Sequence, residues 1–206
     1  MNTGIVEQVL TVWRVEGYFP AGRPGIQGGF PMGTWKFDPY HTQVGFSAKH
    51  LGMMTVRGHF GEVTVTGEIH PDHPEQSKFE ATINADSVRT NHEQRDKDLR
   101  ASNFLEIDKY PTMTFKSTRI EPAGTNQYKV TGDLTIKGVT KPVTLDAVNY
   151  GEFNDPNMGH RYGYSAETEI NRKDFGMSFD MMIDGKFIVS NEIRIQIEGE
   201  IIEAKE

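Results

Sequence analysis

Two imidazoles and a carboxylate stand together at His70-Pro71-Asp72-His73, and both groups ligate metals and carry protons. A zinc site needs its ligands on one side of the metal with a third group held by the fold. A proline-containing turn offers no such scaffold, so the motif reads as surface histidines. His50 follows Val44, Phe46 and Ala48 at alternate positions and so falls on the apolar face of a strand. There it is either a buried, hydrogen-bonded histidine or a donor into the mouth of an interior space. Serine, histidine and aspartate all occur, but no Gly-x-Ser-x-Gly elbow presents a nucleophile. The glycine-rich residues 22–33 lack both the Lys-Ser/Thr ending and the helix of a phosphate loop. Glu167 and Glu169 share the outward face of one strand, whereas a glycosidase sets its carboxylates across a cleft. The chain has no cysteine, which excludes thiol catalysis, disulfides and thiolate metal sites. Nothing in this inventory requires an enzyme.

The elements that must position these side chains are strands. Val44, Phe46, Ala48 and His50 oppose Gln43, Ser47 and Lys49, and Val56, Gly58, Phe60, Val63, Val65 and Gly67 continue the pattern. Phe79, Ala81, Ile83 and Ala85 alternate with polar residues, as do Met113 and Phe115, then Tyr128 to Ile136, Val143 to Ala147, Tyr162 to Ile170, and Ile193 to Ile201. Period-two alternation buries one face and wets the other. About eight antiparallel strands result, and such strands close as a barrel or stack as a sandwich. The inward face carries Ala48, Gly58, Gly67, Ala81, Ala85, Gly132, Ala147 and Ala166. These small residues either leave volume for a ligand or make room for Phe46, Phe60, Phe79 and Phe115 from across the core.

One segment breaks the strand pattern. In Thr90-Asn91-His92-Glu93-Gln94-Arg95-Asp96-Lys97-Asp98-Leu99-Arg100, Asn91 can accept from the backbone N–H of Gln94 while Gln94 reaches back, a capping box that starts a helical segment near 91–107. Its basic residues alternate with Glu93, Asp96 and Asp98, which suits a solvated face. Arg95 and Asp96 either clamp this helix to the rim of the fold or meet a ligand head group. Methionines gather at Met53, Met54, Met177, Met181 and Met182, either as core filler or as an adaptable surface for a flexible chain. The run 175–182 is the candidate gate.

The 206 residues divide into an N-terminal arm, 1–33, rich in glycine and proline towards its end, and a β domain over 34–206. A net charge of −7 argues against a nucleic-acid partner, which needs basic surface. No apolar run approaches the roughly 20 residues that cross a bilayer as a helix, so stable membrane insertion is not expected. The first residues lack a basic start and carry Glu7 and Gln8 in their apolar stretch, a poor secretory signal, and the expected location is cytoplasmic.

The runs TNHEQRDKDLRASNF, KYPTMTFKS, VTGDLTIKGVTKPVTL and NRKDFG, in this order and spacing, resemble the YceI-like family of lipocalin-like barrels. Asn91, Arg95, Asp96, Leu99, Arg100 and Phe104 match its helix motif, and Tyr110, Pro111 and Phe115 the return to the sheet. Gly132, Asp133, Leu134, Thr135, Gly138, Thr140 and Pro142 match a central hairpin, and Arg172, Asp174, Phe175 and Gly176 a late loop. Asp98 stands where a histidine is common, and residues 1–33 have no counterpart in short members. By their chemistry the matched residues are largely architectural.

The resemblance implies an all-β fold: a single antiparallel lipocalin-like β-barrel of about eight strands with one short helical segment. It also implies the function of bacterial proteins, periplasmic or cytoplasmic, that hold long polyisoprenoid chains of quinone or prenyl-phosphate type. This chain is then expected to be a non-catalytic carrier of a prenyl lipid, with no cofactor or metal beyond that lipid. The expected ligand-binding residues are Val44, Phe46, His50, Phe60, Phe79, Ile83, Phe115, Leu134, Leu145, Tyr164 and Ile195. A second reading is an interaction protein with a packed core that acts through the 1–33 arm, by strand addition or as a swapped homodimer. A third, an enzyme acting on a prenyl substrate, would use His50 and Arg95.

Overall fold

Alternating apolar and polar residues form a curled antiparallel sheet in the computed structural model, which describes residues 35–204. The expected 1–33 arm lies outside the described residues. In chain order the elements are β1 (Trp35–Phe37), β2 (Gln43–His50), β3 (Met54–Phe60), β4 (Val63–Glu68), β5 (Lys78–Asn84), β6 (Val88–Arg89), α1 (Glu93–Arg100), β7 (Thr112–Gly124), β8 (Gln127–Ile136), β9 (Val139–Asp155) and β10 (Gly159–Asn171). A small hairpin of β11 (Met182–Ile183) and β12 (Lys186–Phe187) follows, and β13 (Glu192–Glu203) ends the sheet. Short 3-10 turns lie at Pro74–Gln76, Ala85–Ser87 and Arg172–Phe175.

Thirteen segments replace the expected eight strands because three strands bend at corners and the β11–β12 hairpin adds two more. β1 and β2 both pair with β13, at Phe37↔Ile201 and Val44↔Ile197. β3 and β4 are separated by Gly61 and Glu62 alone, and their partners β6 and β5 are likewise consecutive, at Phe60↔Val88 and Val63↔Ile83. Each of these three pairs of segments therefore runs as one bent strand. With β7, β8, β9, β10 and β13 they make eight strand paths. The ladder passes through them in a ring, from β13 to β2, β3, across the β3–β4 corner to β5, and on through β7, β8, β9 and β10 back to β13. Register shifts near Ser117, Pro122 and Gly163 add local curvature.

The two ends of this barrel differ. One carries the β4–β5, β7–β8 and β9–β10 connections, where Trp35 packs edge-on against His160 and Tyr162. Across the other lie α1, the turns that follow it and residues 172–191. There the β8–β9 turn has Lys137 at φ 51 and Gly138 at φ 71, the two positive values a type I′ hairpin demands.

The helix starts one residue later than the capping box predicts and is shorter than 91–107. The cap is His92, whose Nδ1 accepts from Arg95 N–H at 3.2 Å, while Asn91 sits at φ 59 and turns the chain into the helix. Asparagine tolerates that left-handed conformation well, which removes it from the capping position. Gln94 does not reach back; its Nε2 donates to Asp98 Oδ1 at 3.0 Å along the exposed face. After Ala101 the chain continues in turns that bury Phe104 and Leu105.

Candidate functional site

The inward faces of the strands enclose a cavity of about 300 Å³ with an almost wholly apolar wall. That volume lies at the lower end of the range for small-molecule sites. Of the expected ligand-binding residues, Val44, Phe46, Phe60, Phe79, Ile83, Phe115, Leu134, Leu145, Tyr164 and Ile195 all line it. His50 does not. It is exposed at the end of β2, where its Nδ1 lies 2.9 Å from the carbonyl of Ile188, outside the cavity. The alternation that should turn His50 inward runs out where β2 ends and residues 188–190 pair with its edge.

Six of the eight small residues expected to face inward divide into two groups; Gly67 is exposed and Ala85 is buried in the 3-10 turn after β5, and neither lines the cavity. A Cβ at Gly58 would collide with the Phe46 ring, and one at Gly132 with the Phe115 ring and, at 2.5 Å, with the Lys116 carbonyl. These two glycines make room for phenylalanines. Ala48, Ala81, Ala147 and Ala166 instead form part of the cavity wall, where each missing side chain leaves open volume.

At the end covered by α1, Leu99, Phe104, Leu105, Met177 and Val189 complete the wall together with Arg172. Arg172 is buried, and its Nε donates to Ser190 O at 3.0 Å. Burial in these apolar surroundings pulls its pKa down, while the more distant Asp180 and Glu192 oppose the shift. At the opposite end Tyr164 and Tyr162 carry phenols whose pKa burial pushes up, helped by Tyr128 for the first and by Asp72 and Glu152 for the second. Both phenols are therefore neutral donors in the physiological range. Tyr162 donates to Asp72 Oδ1 at 3.2 Å.

Of the polar candidates only His70 borders the cavity; the others fall elsewhere. Arg95 and Asp96 act as a clamp. Asp96 Oδ1, buried, accepts from Thr90 N–H at 2.9 Å and from Thr90 Oγ1 at 2.5 Å, and Arg95 donates to Thr90 Oγ1 and Thr90 O, each at 2.8 Å. His70, Asp72 and His73 do not converge: the His70 backbone is tied to Ser77 Oγ, Asp72 accepts from Tyr162, and His73 is exposed beside Glu75. Glu167 lies outside and meets Arg194 at 2.5 Å. The expected gate splits in two. Phe175 and Met177 are buried and Ser178 and Phe179 donate to Asn103 O, whereas Met181 and Met182 are exposed, as are Met53 and Met54.

One cluster had no counterpart in the sequence reading. Asp38, His41 and Glu200 bring three ligand atoms within 4.8 Å of one another. Arg161 Nη1, however, lies 2.8 Å from both Asp38 Oδ2 and Glu200 Oε2, so a fixed cation already occupies the position a metal would take. The separation of 123 positions between Asp38 and Arg161 hid this group, and the β1–β13–β10 pairing assembles it.

Similarity to known proteins agrees with this architecture. Residues 35–201 match the family model described as a YceI-like domain. A UPF0312 protein of Pectobacterium atrosepticum is 40% identical over 167 residues, covering 80% of this chain and 85% of that protein. The Campylobacter jejuni YceI protein superposes with a TM-score of 0.66 at 31% identity, covering 77% of this chain and 90% of that one. A polyisoprenoid binding domain from Saccharophagus degradans superposes with a TM-score of 0.59 over 84% of this chain and 99% of its own; at 12% identity that likeness concerns the fold alone. The match spans the barrel from β1 to Ile201 near the end of β13, and the chain accordingly belongs to the YceI-like family.

Proposed function

We propose that this protein is a non-catalytic carrier that holds a long isoprenoid-type lipid inside its barrel. The apolar cavity carries the reading: ten side chains from eight strands converge on it, and its wall is almost wholly apolar. Each buried methylene contributes about 0.8 kcal/mol, so a twenty-carbon tail gains about 16 kcal/mol gross. Lost translational and rotational freedom offsets roughly 4–15 kcal/mol of that. The remainder, roughly 1–12 kcal/mol, comes from the tail alone, and the polar groups at the cavity ends then decide which lipid is held. The polyisoprenoid-binding barrel of Saccharophagus degradans supports the same reading by its shared fold. An enzymatic use of His50 and Arg95 loses its basis, since one is outside the cavity and the other is spent on Thr90.

The test is organic extraction of the purified full chain followed by mass spectrometry, with uptake of added prenyl alcohols by the delipidated protein. A stoichiometric prenyl lipid, or saturable uptake of one, is the expected result. Protein that neither carries nor takes up any such lipid rules the carrier out.

A further inference from the structure

Arg172 is 1% exposed and forms part of the wall of an otherwise greasy cavity. Its guanidinium has no carboxylate partner. Arg100, Arg119, Arg161 and Arg194 each form an ion pair; the described residues provide none for Arg172. What it has are three backbone carbonyls: Ser190 O at 3.0 Å from Nε, Met177 O at 3.4 Å from Nη1, and Val189 O at 3.4 Å from Nη2. The last two are at the long limit of hydrogen bonding. A guanidinium carries five N–H groups, so one N–H on each Nη is left without an acceptor among the described residues.

Arginine keeps its charge under such conditions, and a buried charge without a counter-charge is costly. Carbonyl dipoles compensate it only in part. Asp180 and Glu192 act on it only from beyond ion-pair distance, so an apolar chamber with one incompletely compensated, fork-shaped cation in its wall is complementary to an amphiphile: a tail for the chamber and anionic oxygens for the fork. We propose that Arg172 selects the ligand by its head group, binding the phosphate or carboxylate oxygens of an amphiphile whose tail fills the barrel. The proposal rests on the carrier reading for the site and adds the head group to it. A purely structural Arg172, tying residue 177 to residues 189 and 190, would support all ligands equally and would not distinguish heads.

The experiment compares matched pairs on the delipidated full chain by equilibrium dialysis below the micelle concentration of each probe. Geranylgeranyl phosphate is set against geranylgeraniol, and palmitoleate against palmitoleyl alcohol. The anionic member of a pair is expected to bind at least about tenfold tighter, the gain of one charge-assisted bidentate contact. Arg172→Gln is expected to abolish that ratio while alcohol binding persists, and Arg172→Lys to keep only part of it, since the point charge survives and the fork does not. Should Arg172→Gln fail to fold, the ratio in the parent chain and its reduction in Arg172→Lys decide. Equal binding of acid and alcohol by the parent, or a ratio intact in folded Arg172→Gln, overturns the proposal. If only the straight-chain pair binds, with the anion preferred, the prenyl reading falls and the role of Arg172 stands. Binding of neither pair overturns both.

Discussion

Asp38 illustrates how single residues hold the barrel at its corner. Burial acts to raise its pKa, but hydrogen bonds from His41, Arg161 and the Tyr40 N–H outweigh burial and bring it down to about 2. A carboxyl whose folded pKa lies below its ordinary 3.8 adds stability that is complete above that value and is lost as pH falls through about 2. Arg161→Gln is therefore expected to lower the urea midpoint at neutral pH, with the gap to the parent closing as both are titrated from about pH 4 to pH 2. A gap that stays constant over that window would assign the loss to packing instead. At the same scale, His50 shows the limit of counting residues. Its parity in β2 is correct, but His50 is the last residue of the strand, beyond the cavity wall, and its ring meets the Ile188 carbonyl instead.

At the scale of elements, α1 is held by tertiary contacts rather than by its own sequence. Eight residues are too few for a stable isolated helix, and its charged face contributes only exposed pairs such as Glu93–Lys97. The buried Asp96 carboxylate supplies what the sequence lacks by accepting both donors of Thr90, next to β6. Asp96→Ala leaves the buried Thr90 N–H without a partner, a loss of about 1–3 kcal/mol. Denaturant melts should show that loss, and hydrogen exchange should show it concentrated at Thr90 and α1. Unchanged protection there would show that the clamp is dispensable. The sequence revealed that a helix forms here, and Arg95 and Asp96 stood out as a possible clamp. The cap lies one residue beyond the expected one because Asn91 and His92 can both accept, and only the backbone turn from β6 into α1 assigns the left-handed position to Asn91.

At the scale of the whole molecule, the cavity depends on which small residues face rings and which face nothing. Ala166 pairs with Ala147 on one side and Ile197 on the other and lines the void, so a large side chain there grows into the lipid's place. Excluding about two methylenes removes about 1.6 kcal/mol of burial, roughly a fifteenfold loss of affinity. Ala166→Trp is expected to reduce bound or absorbed prenyl lipid by about that factor while far-UV circular dichroism and the melting temperature stay near those of the parent. Full lipid content in that variant would place the tail elsewhere.

Alternation from Val44 to Ile201 determined the strands, their buried faces and ten of the cavity-lining side chains, because a period of two is local and survives without knowledge of the partner strand. The chain could not reveal where strands bend, so three bent strands had to be found from shared ladders. Nor could it reveal whether Gly132 and Ala166, both small and both inward, would be filled from across the core or left open. Ring closure sets those distances, and it also leaves Arg172 without a direct ion pair among the described residues and brings Arg161 to Asp38 across more than a hundred residues. Such relations depend on separation in space, which tertiary structure alone decides.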